Sequence, residues 1–310
     1  MKQLVVEMNH GNAGFFVYLE YVLNAIHYCE NINDYHNIPA IRYGKHTING
    51  KTNKFFEESY GPNMFYYYFN YNKVAPAGME QEARDVTFWC CIHEVVGVQS
   101  YPHGPYEGMK QFYDMPYSRD TDAWYGKNRL LAGKILRQNI SVKDEILRTV
   151  NDFWRENFDE GDYVLGVHIR GTDKTARIGG RKILPEEYFP YIDKIVQAKN
   201  AKIFLATDDQ SYFEIFKKKY YIYNLENILR HKENIFLNTE NKENYKKGLD
   251  VLMDCLCLSK CDFILRGSSA VSEFAIYFNN KLHGRSLNLQ YDCSRFLKTD
   301  DERIMTEAVF

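Results

Sequence analysis

In the second half of the chain, two kinds of apolar pattern alternate. Residues 163–169, 202–207 and 262–265 are short, nearly continuous runs of Val, Ile, Leu and Phe with polar residues on either side. Such runs predict strands buried on both faces, as in a parallel sheet. Between and after them come stretches with apolar residues at helical spacing: 185–198 (Tyr188, Ile192 and Ile195 along one stripe), 211–219, 243–260 and 270–278. A further short strand is predicted at 234–238. Strands alternating with helices indicate an α/β, doubly wound parallel sheet.

The first half is patterned less clearly. Residues 3–8 predict a strand, and 15–30 a helix with Phe16, Leu19, Leu23 and Ile26 on one face. Between them, Asn9-His-Gly-Asn-Ala-Gly14 makes a glycine turn from strand to helix. Free amides and the helix dipole there suit a phosphate or sugar, with Gly11 and Gly14 shaping the turn; a plain tight turn is the alternative. The aromatic run at 64–69 is expected in the core. Residues 86–92 predict a buried strand, and 99–119, with three prolines, a long irregular loop that is a candidate acceptor-binding edge. A helix is predicted over 121–137. Ser141 is expected to open the next one, with Asp144 as its capping-box partner and Ile146, Val150, Phe153 and Trp154 on its stripe. Asp159-Glu-Gly161 ends that helix. The predicted organisation is therefore an N-terminal domain over 1–158, a second over 159–299, and a helix at 300–310 returning to the first.

Candidate chemistry collects where the predicted strands end. The 163–169 run finishes in His168, Arg170, Asp173 and Lys174. Ligands of open α/β sheets lie beyond the carboxyl ends of the strands. There Arg170 suits a two-pronged grip on phosphate and Lys174 a second positive charge; mutual pairing in a solvated turn is the structural alternative. The 202–207 run ends in Asp208-Asp209, acceptors for a base or ribose. Gly267, Ser268 and Ser269, between a strand and a helix, offer either a second amide-rich anion site or an ordinary helix cap. Asp254 sits inside an apolar helical run and needs a partner there, which a nucleobase amino group or a salt bridge would supply.

Composition narrows the class. With 310 residues, 45% apolar, 26% charged and a net charge of -2, the chain is read as a soluble globular protein without an electrostatic grip on nucleic acid or anionic membrane. No apolar run approaches the roughly 20 residues of a membrane span. The seven Cys form no CxxC pair and the start lacks a secretory pattern, so reduced thiols in the cytoplasm are expected. There is no GxGxxG, GxxxxGK[ST] or GxSxG, against dinucleotide, ATP and hydrolase readings.

Three ordered stretches, Val164-Leu-Gly-Val-His-Ile-Arg-Gly-Thr-Asp-Lys174, Ala201-Lys-Ile-Phe-Leu-Ala-Thr-Asp-Asp209 and Leu258-Ser-Lys-Cys-Asp-Phe-Ile-Leu-Arg-Gly-Ser-Ser269, resemble the α1,6-fucosyltransferase and nodulation fucosyltransferase group. The resemblance covers about residues 160–280. It implies two Rossmann-like domains facing a cleft (the glycosyltransferase-B architecture), a GDP-fucose donor, a glycan acceptor, inversion at the anomeric carbon, and no metal or other cofactor. It also implies that Asp254 accepts from guanine. Arg170, Lys174 and Asp173 become the catalytic candidates, with His168, Asp208, Asp209, the 267–269 turn, Gly11 and Gly14 on the donor. Two positions depart from the group. Gly171 stands where some members carry a second Arg, and no acidic residue lies between Thr175 and Gly180. The base is therefore open between Asp173, Glu186 and Glu273. A transferase using another nucleotide sugar such as UDP-xylose, or a non-catalytic nucleotide- or glycan-binding protein, are the alternatives.

Overall fold

The computed structural model describes residues 2–8, 14–31, 35–83, 119–171, 183–230, 243–267 and 269–289. The chain is mixed α/β with parallel sheets. In the N-terminal half, β1 (Gln3–Glu7) leads into α1 (Phe15–Asn31) and then β2 (Ala40–Arg42). The aromatic run forms α2 (Phe65–Tyr68) and β3 (Phe69–Tyr71), followed by β4 (Gln81–Ala83). β1 lies between β2 and β4, parallel to both. Phe65, Tyr67, Tyr68 and Phe69 are buried while Tyr66 faces outward, so the aromatic run is core, as its composition predicts.

Helix α3 (Arg119–Asn139) is followed by β5 (Ile140–Val142) and α4 (Asp144–Asn157). Here the expectation for Ser141 fails. Ile140 and Val142 are buried, and the three residues pair antiparallel with Phe69–Tyr71. Ser141 is thus the outward-facing middle of a strand. The helix begins at Asp144 behind Lys143, with no side-chain cap. A pairing partner some 70 residues earlier decides this, and local capping signals do not register it.

The C-terminal half follows the predicted alternation: β6 (Val164–Ile169), α5 (Pro185–Lys199), β7 (Lys202–Thr207), α6 (Gln210–Lys219), β8 (Ile222–Tyr223), α7 (Asn244–Lys260), β9 (Phe263–Arg266), α8 (Ala270–Phe278) and β10 (Ser286–Asn288). The strands form one parallel sheet in the order β10-β9-β6-β7-β8. Alternate residues face opposite layers. Leu165, Val167, Ile169, Ile203, Leu205, Phe263 and Leu265 pack with Tyr188, Ile192 and Ile195 of α5 and Phe216 of α6. Val164, Phe204, Ala206 and Ile264 face the other way, into a core shared with α4, α7, α8 and the N-terminal half. His168 is in phase with Val164, so the same alternation sends it toward α7. At Gly166, a Cβ would stand 3.0 Å from Cys261 Sγ and 3.1 Å from Leu258 Cδ2. The missing side chain lets α7 lie close against β6.

One core joins the halves. Phe16 of α1 stacks on Phe274 of α8 with centroids 4.6 Å apart, a pair that contributes roughly 0.5–1.5 kcal/mol beyond its buried area. Cys29, Cys255, Cys257 and Cys261 are buried and unpaired, and burial pushes their thiols up, Cys29 to about 12. The expected strands at 86–92 and 234–238, the loop at 99–119 as far as residue 118, the helix at 300–310, and Cys90, Cys91 and Cys293 lie outside the described residues, while Arg119 begins α3. Among the described residues no helix is long and apolar enough to cross a membrane.

Candidate functional site

A cavity of about 290 Å³ opens at the carboxyl ends of β6 and β7. Its walls are His168 and Arg170 after β6, Thr207 and Asp208 after β7, Lys247, Asp250, Val251 and Asp254 of α7, and Ser269 at the start of α8. The opposite wall comes from the N-terminal half: Gly14 to Val17 at the start of α1, with Lys54 and Phe55. Of the residues singled out in the sequence, it brings together Gly14, His168, Arg170, Asp208, Asp254 and Ser269. Gly11, Asp173, Lys174 and Ser268 lie outside the described residues.

The strand ends are cross-tied. Arg170 Nε lies 3.6 Å from Asp208 Oδ2, and the Gly171 amide donates to Asp208 Oδ1 at 3.0 Å. Asp208 therefore aims the guanidinium. Asp209, expected beside it on the donor, points elsewhere. Its Oδ1 accepts from the amides of Ser211 (2.8 Å) and Tyr212 (3.2 Å), so it is the N-cap of α6. A Cβ at Gly171 would run into the Asp209 carboxylate, which is why a second Arg has no room there. Gly267 also departs from expectation. Its amide donates to His168 O at 3.2 Å, so it ties β9 to β6 and does not face an anion. The Ser269 side chain caps α8 by accepting from Val271 N while the residue lines the cavity.

Two of the three candidate bases, Glu273 and Glu186, lie among the described residues. Glu273 is buried and gripped by Arg129 (Nε to Oε2 2.8 Å, Nη2 to Oε1 2.7 Å), with Arg266 Nη1 2.8 Å from Oε1. A carboxylate held between two guanidiniums is a poor proton acceptor. This triad fastens α3 to β9 and α8. Glu186 is exposed in the first turn of α5, outside the cavity lining.

The α7 face is the part least visible from the sequence. Asp254 is 8% exposed, and its Oδ1 has no hydrogen-bond partner among the described residues. Burial raises its pKa to about 7, against the pull of Arg230. Asp250, one turn away, accepts from Lys246 Nζ at 2.6 Å and from the Leu229 amide at 2.9 Å. Lys247 and Lys54 were not singled out, yet both line the cavity and are buried. Their signal was faint: Lys247, Asp250 and Asp254 fall at i, i+3 and i+7 in an otherwise apolar helix, which puts three ionisable groups on one face. Among the described residues no group of three or more His, Cys, Asp and Glu is arranged to hold a metal ion.

No known protein-family model matches the chain. Its fold is similar to solved structures of NodZ α-1,6-fucosyltransferase. Against the one soaked with GDP-fucose the TM-score is 0.51 at 15% identity, covering 90% of this chain and 93% of that one. The form co-crystallised with GDP gives 0.51 and 14%, covering 91% and 93%. NodZ from Bradyrhizobium gives 0.51 and 16%, covering 89% and 92%. The chain is thus similar in fold, along most of its length, to the fucosyltransferase group that its three motifs resemble.

Proposed function

We propose that the chain is an inverting glycosyltransferase that transfers fucose from GDP-fucose to a hydroxyl of a glycan acceptor. Residues 159–299 form a Rossmann-like donor domain and residues 1–158 a Rossmann-like acceptor domain, facing each other in the glycosyltransferase-B manner, with 300–310 returning to the first. One observation carries the reading: a single cavity holds Arg170 at a strand end and the buried Asp254, whose Oδ1 has no hydrogen-bond partner among the described residues. Guanine presents an N1–H and a 2-amino group side by side, which one carboxylate accepts together. Uracil has a single N3–H flanked by carbonyls that a carboxylate repels. The likeness to a fold solved with GDP-fucose supports the same choice.

In the reaction, the acceptor oxygen attacks the anomeric carbon opposite the diphosphate, the sugar–phosphate bond breaks, and the hydroxyl proton passes to a base. The transition state resembles an oxocarbenium ion, so the protein's main task is to stabilise the departing diphosphate. Arg170, aimed by Asp208, does this with Lys174, and no metal is required. Asp173 is the base assigned by this reading; His168 and Ser269 line the donor site. Calorimetry with GDP and UDP tests the nucleotide, and transfer assays with a panel of nucleotide sugars test the chemistry. Binding without hydrolysis or transfer of any donor would favour a non-catalytic nucleotide-binding protein. Preference for UDP would favour a UDP-sugar transferase.

A further inference from the structure

The segment that follows β8 is pinned to the α7 side of the cavity. Lys246 Nζ donates to Asn227 O, and the Leu229 amide donates to Asp250 Oδ2 at 2.9 Å. Ile228 and Leu229 thereby line the cavity together with Asp250 and Asp254, which lie one turn apart on α7. Arg230 comes directly after them. Its guanidinium carbon sits over the Phe213 ring of α6, 4.4 Å from the centroid, a cation–π contact that fixes where the fork lies.

Both partners at this corner carry unused hydrogen-bonding atoms. Nε and Nη2 of Arg230 are buried and have no hydrogen-bond partner among the described residues, and the same holds for Asp254 Oδ1. The two groups feel each other's charge, yet these atoms make no hydrogen bond to one another. A buried donor without an acceptor is costly, and such groups are normally satisfied by an ordered water or a ligand. Here the unused atoms are of both kinds, donors on one element and an acceptor on the other. A ligand that satisfies them together must present an acceptor beside a donor.

We propose that Arg230 is a second base-reading residue, donating from its buried fork to the 6-carbonyl oxygen of guanine while Asp254 accepts from N1–H and the 2-amino group. The proposal rests on the guanine reading of Asp254 and extends it to the remaining atom of the same edge. Along that edge guanine presents an acceptor, a donor and a donor in a row. The guanidinium and the carboxylate offer the complement: a donor, an acceptor and an acceptor. Each charge then meets its own atom of the base, as befits two groups that interact through charge alone. Adenine has an amino group where guanine has its carbonyl, so it would turn a donor toward the guanidinium and be rejected.

The test is calorimetry of wild type and Arg230→Met with guanosine, 6-thioguanosine and inosine at pH 7. The thio analogue replaces only the carbonyl oxygen, by a poorly accepting sulfur, and inosine lacks only the 2-amino group. Methionine keeps an apolar stem over Phe213, and thermal unfolding reports whether the variant folds. Wild type should favour guanosine over 6-thioguanosine by about tenfold, the effect of one charged hydrogen bond. Arg230→Met should weaken guanosine by about as much and remove that preference, with the guanosine-to-inosine ratio set by Asp254 unchanged. Wild type that binds guanosine and 6-thioguanosine equally overturns the proposal, whatever the variant does. So does a folded variant that keeps the preference, or one that loses the guanosine-to-inosine ratio instead, which would make Arg230 a support for the Asp254 carboxylate. In those cases the guanine reading stands as long as wild type still prefers GDP to UDP. A wild type that binds no guanosine overturns both.

Discussion

The protonation of Asp254 gives a prediction that can be worked in numbers. Its carboxyl titrates near pH 7 because burial penalises the charged form. Guanine's paired donors need the ionised form. At pH 6 about one molecule in ten is ionised, so guanosine affinity should fall roughly tenfold per pH unit below 7, about 1.4 kcal/mol each, and level off above about pH 8. Guanosine is the right ligand because it has no phosphate to titrate. Asp254→Asn should bind more weakly at pH 8, by about 1–3 kcal/mol, with no slope over this range. Stability moves oppositely. The folded carboxyl pKa lies above its unfolded value of 3.8, so the folded state keeps a proton that the unfolded chain releases. The contribution is fully present below about pH 4 and is lost as pH rises through 7, on the order of 4 kcal/mol. Ligand-free Asp254→Asn should therefore be more stable than wild type at pH 8 and not at pH 4. Calorimetry between pH 5 and 8 and thermal unfolding between pH 4 and 8 measure both. A flat guanosine profile in the wild type, or an unchanged slope in Asp254→Asn, would refute the reasoning.

Two further outcomes follow. Arg170→Ala should cut transfer by more than about a hundredfold with the fold intact, from the lost charged contact and its strengthening in the transition state; steady-state kinetics checks this, and near wild-type turnover would remove Arg170 from the donor site. Glu273→Ala should lower stability by about 3–5 kcal/mol, since it leaves Arg129 and Arg266 buried without their shared carboxylate; denaturant unfolding is the measurement, and a loss below about 1 kcal/mol would mean the triad relaxes.

Much of the C-terminal half was legible because its strands are buried on both faces. Continuous apolar runs there mark β6, β7 and β9, and glycine or charged residues mark their ends. Strands β8 and β10 were not read: each has only two or three residues, and their pairing is set by neighbours distant in sequence. Ser141 was misread for the same reason, since its pairing with Asn70 is nonlocal. At the site, Arg170, Asp208, Asp254 and Ser269 were readable as charges and turns at strand ends or on an apolar helix. Asp209 was overread, because an acidic residue just before a helix serves equally well as its cap. Lys54 and Lys247 were missed because lysine is almost always a surface residue, whereas the fold buries both.

The most direct test of the account is the nucleotide preference of the wild-type protein at pH 8, measured by calorimetry with GDP and UDP. A cavity built around an ionised Asp254 should favour GDP by tenfold or more, and Asp254→Asn should narrow that gap. Equal or tighter binding of UDP would contradict the assignment of Asp254 to guanine, and with it the GDP-fucose donor.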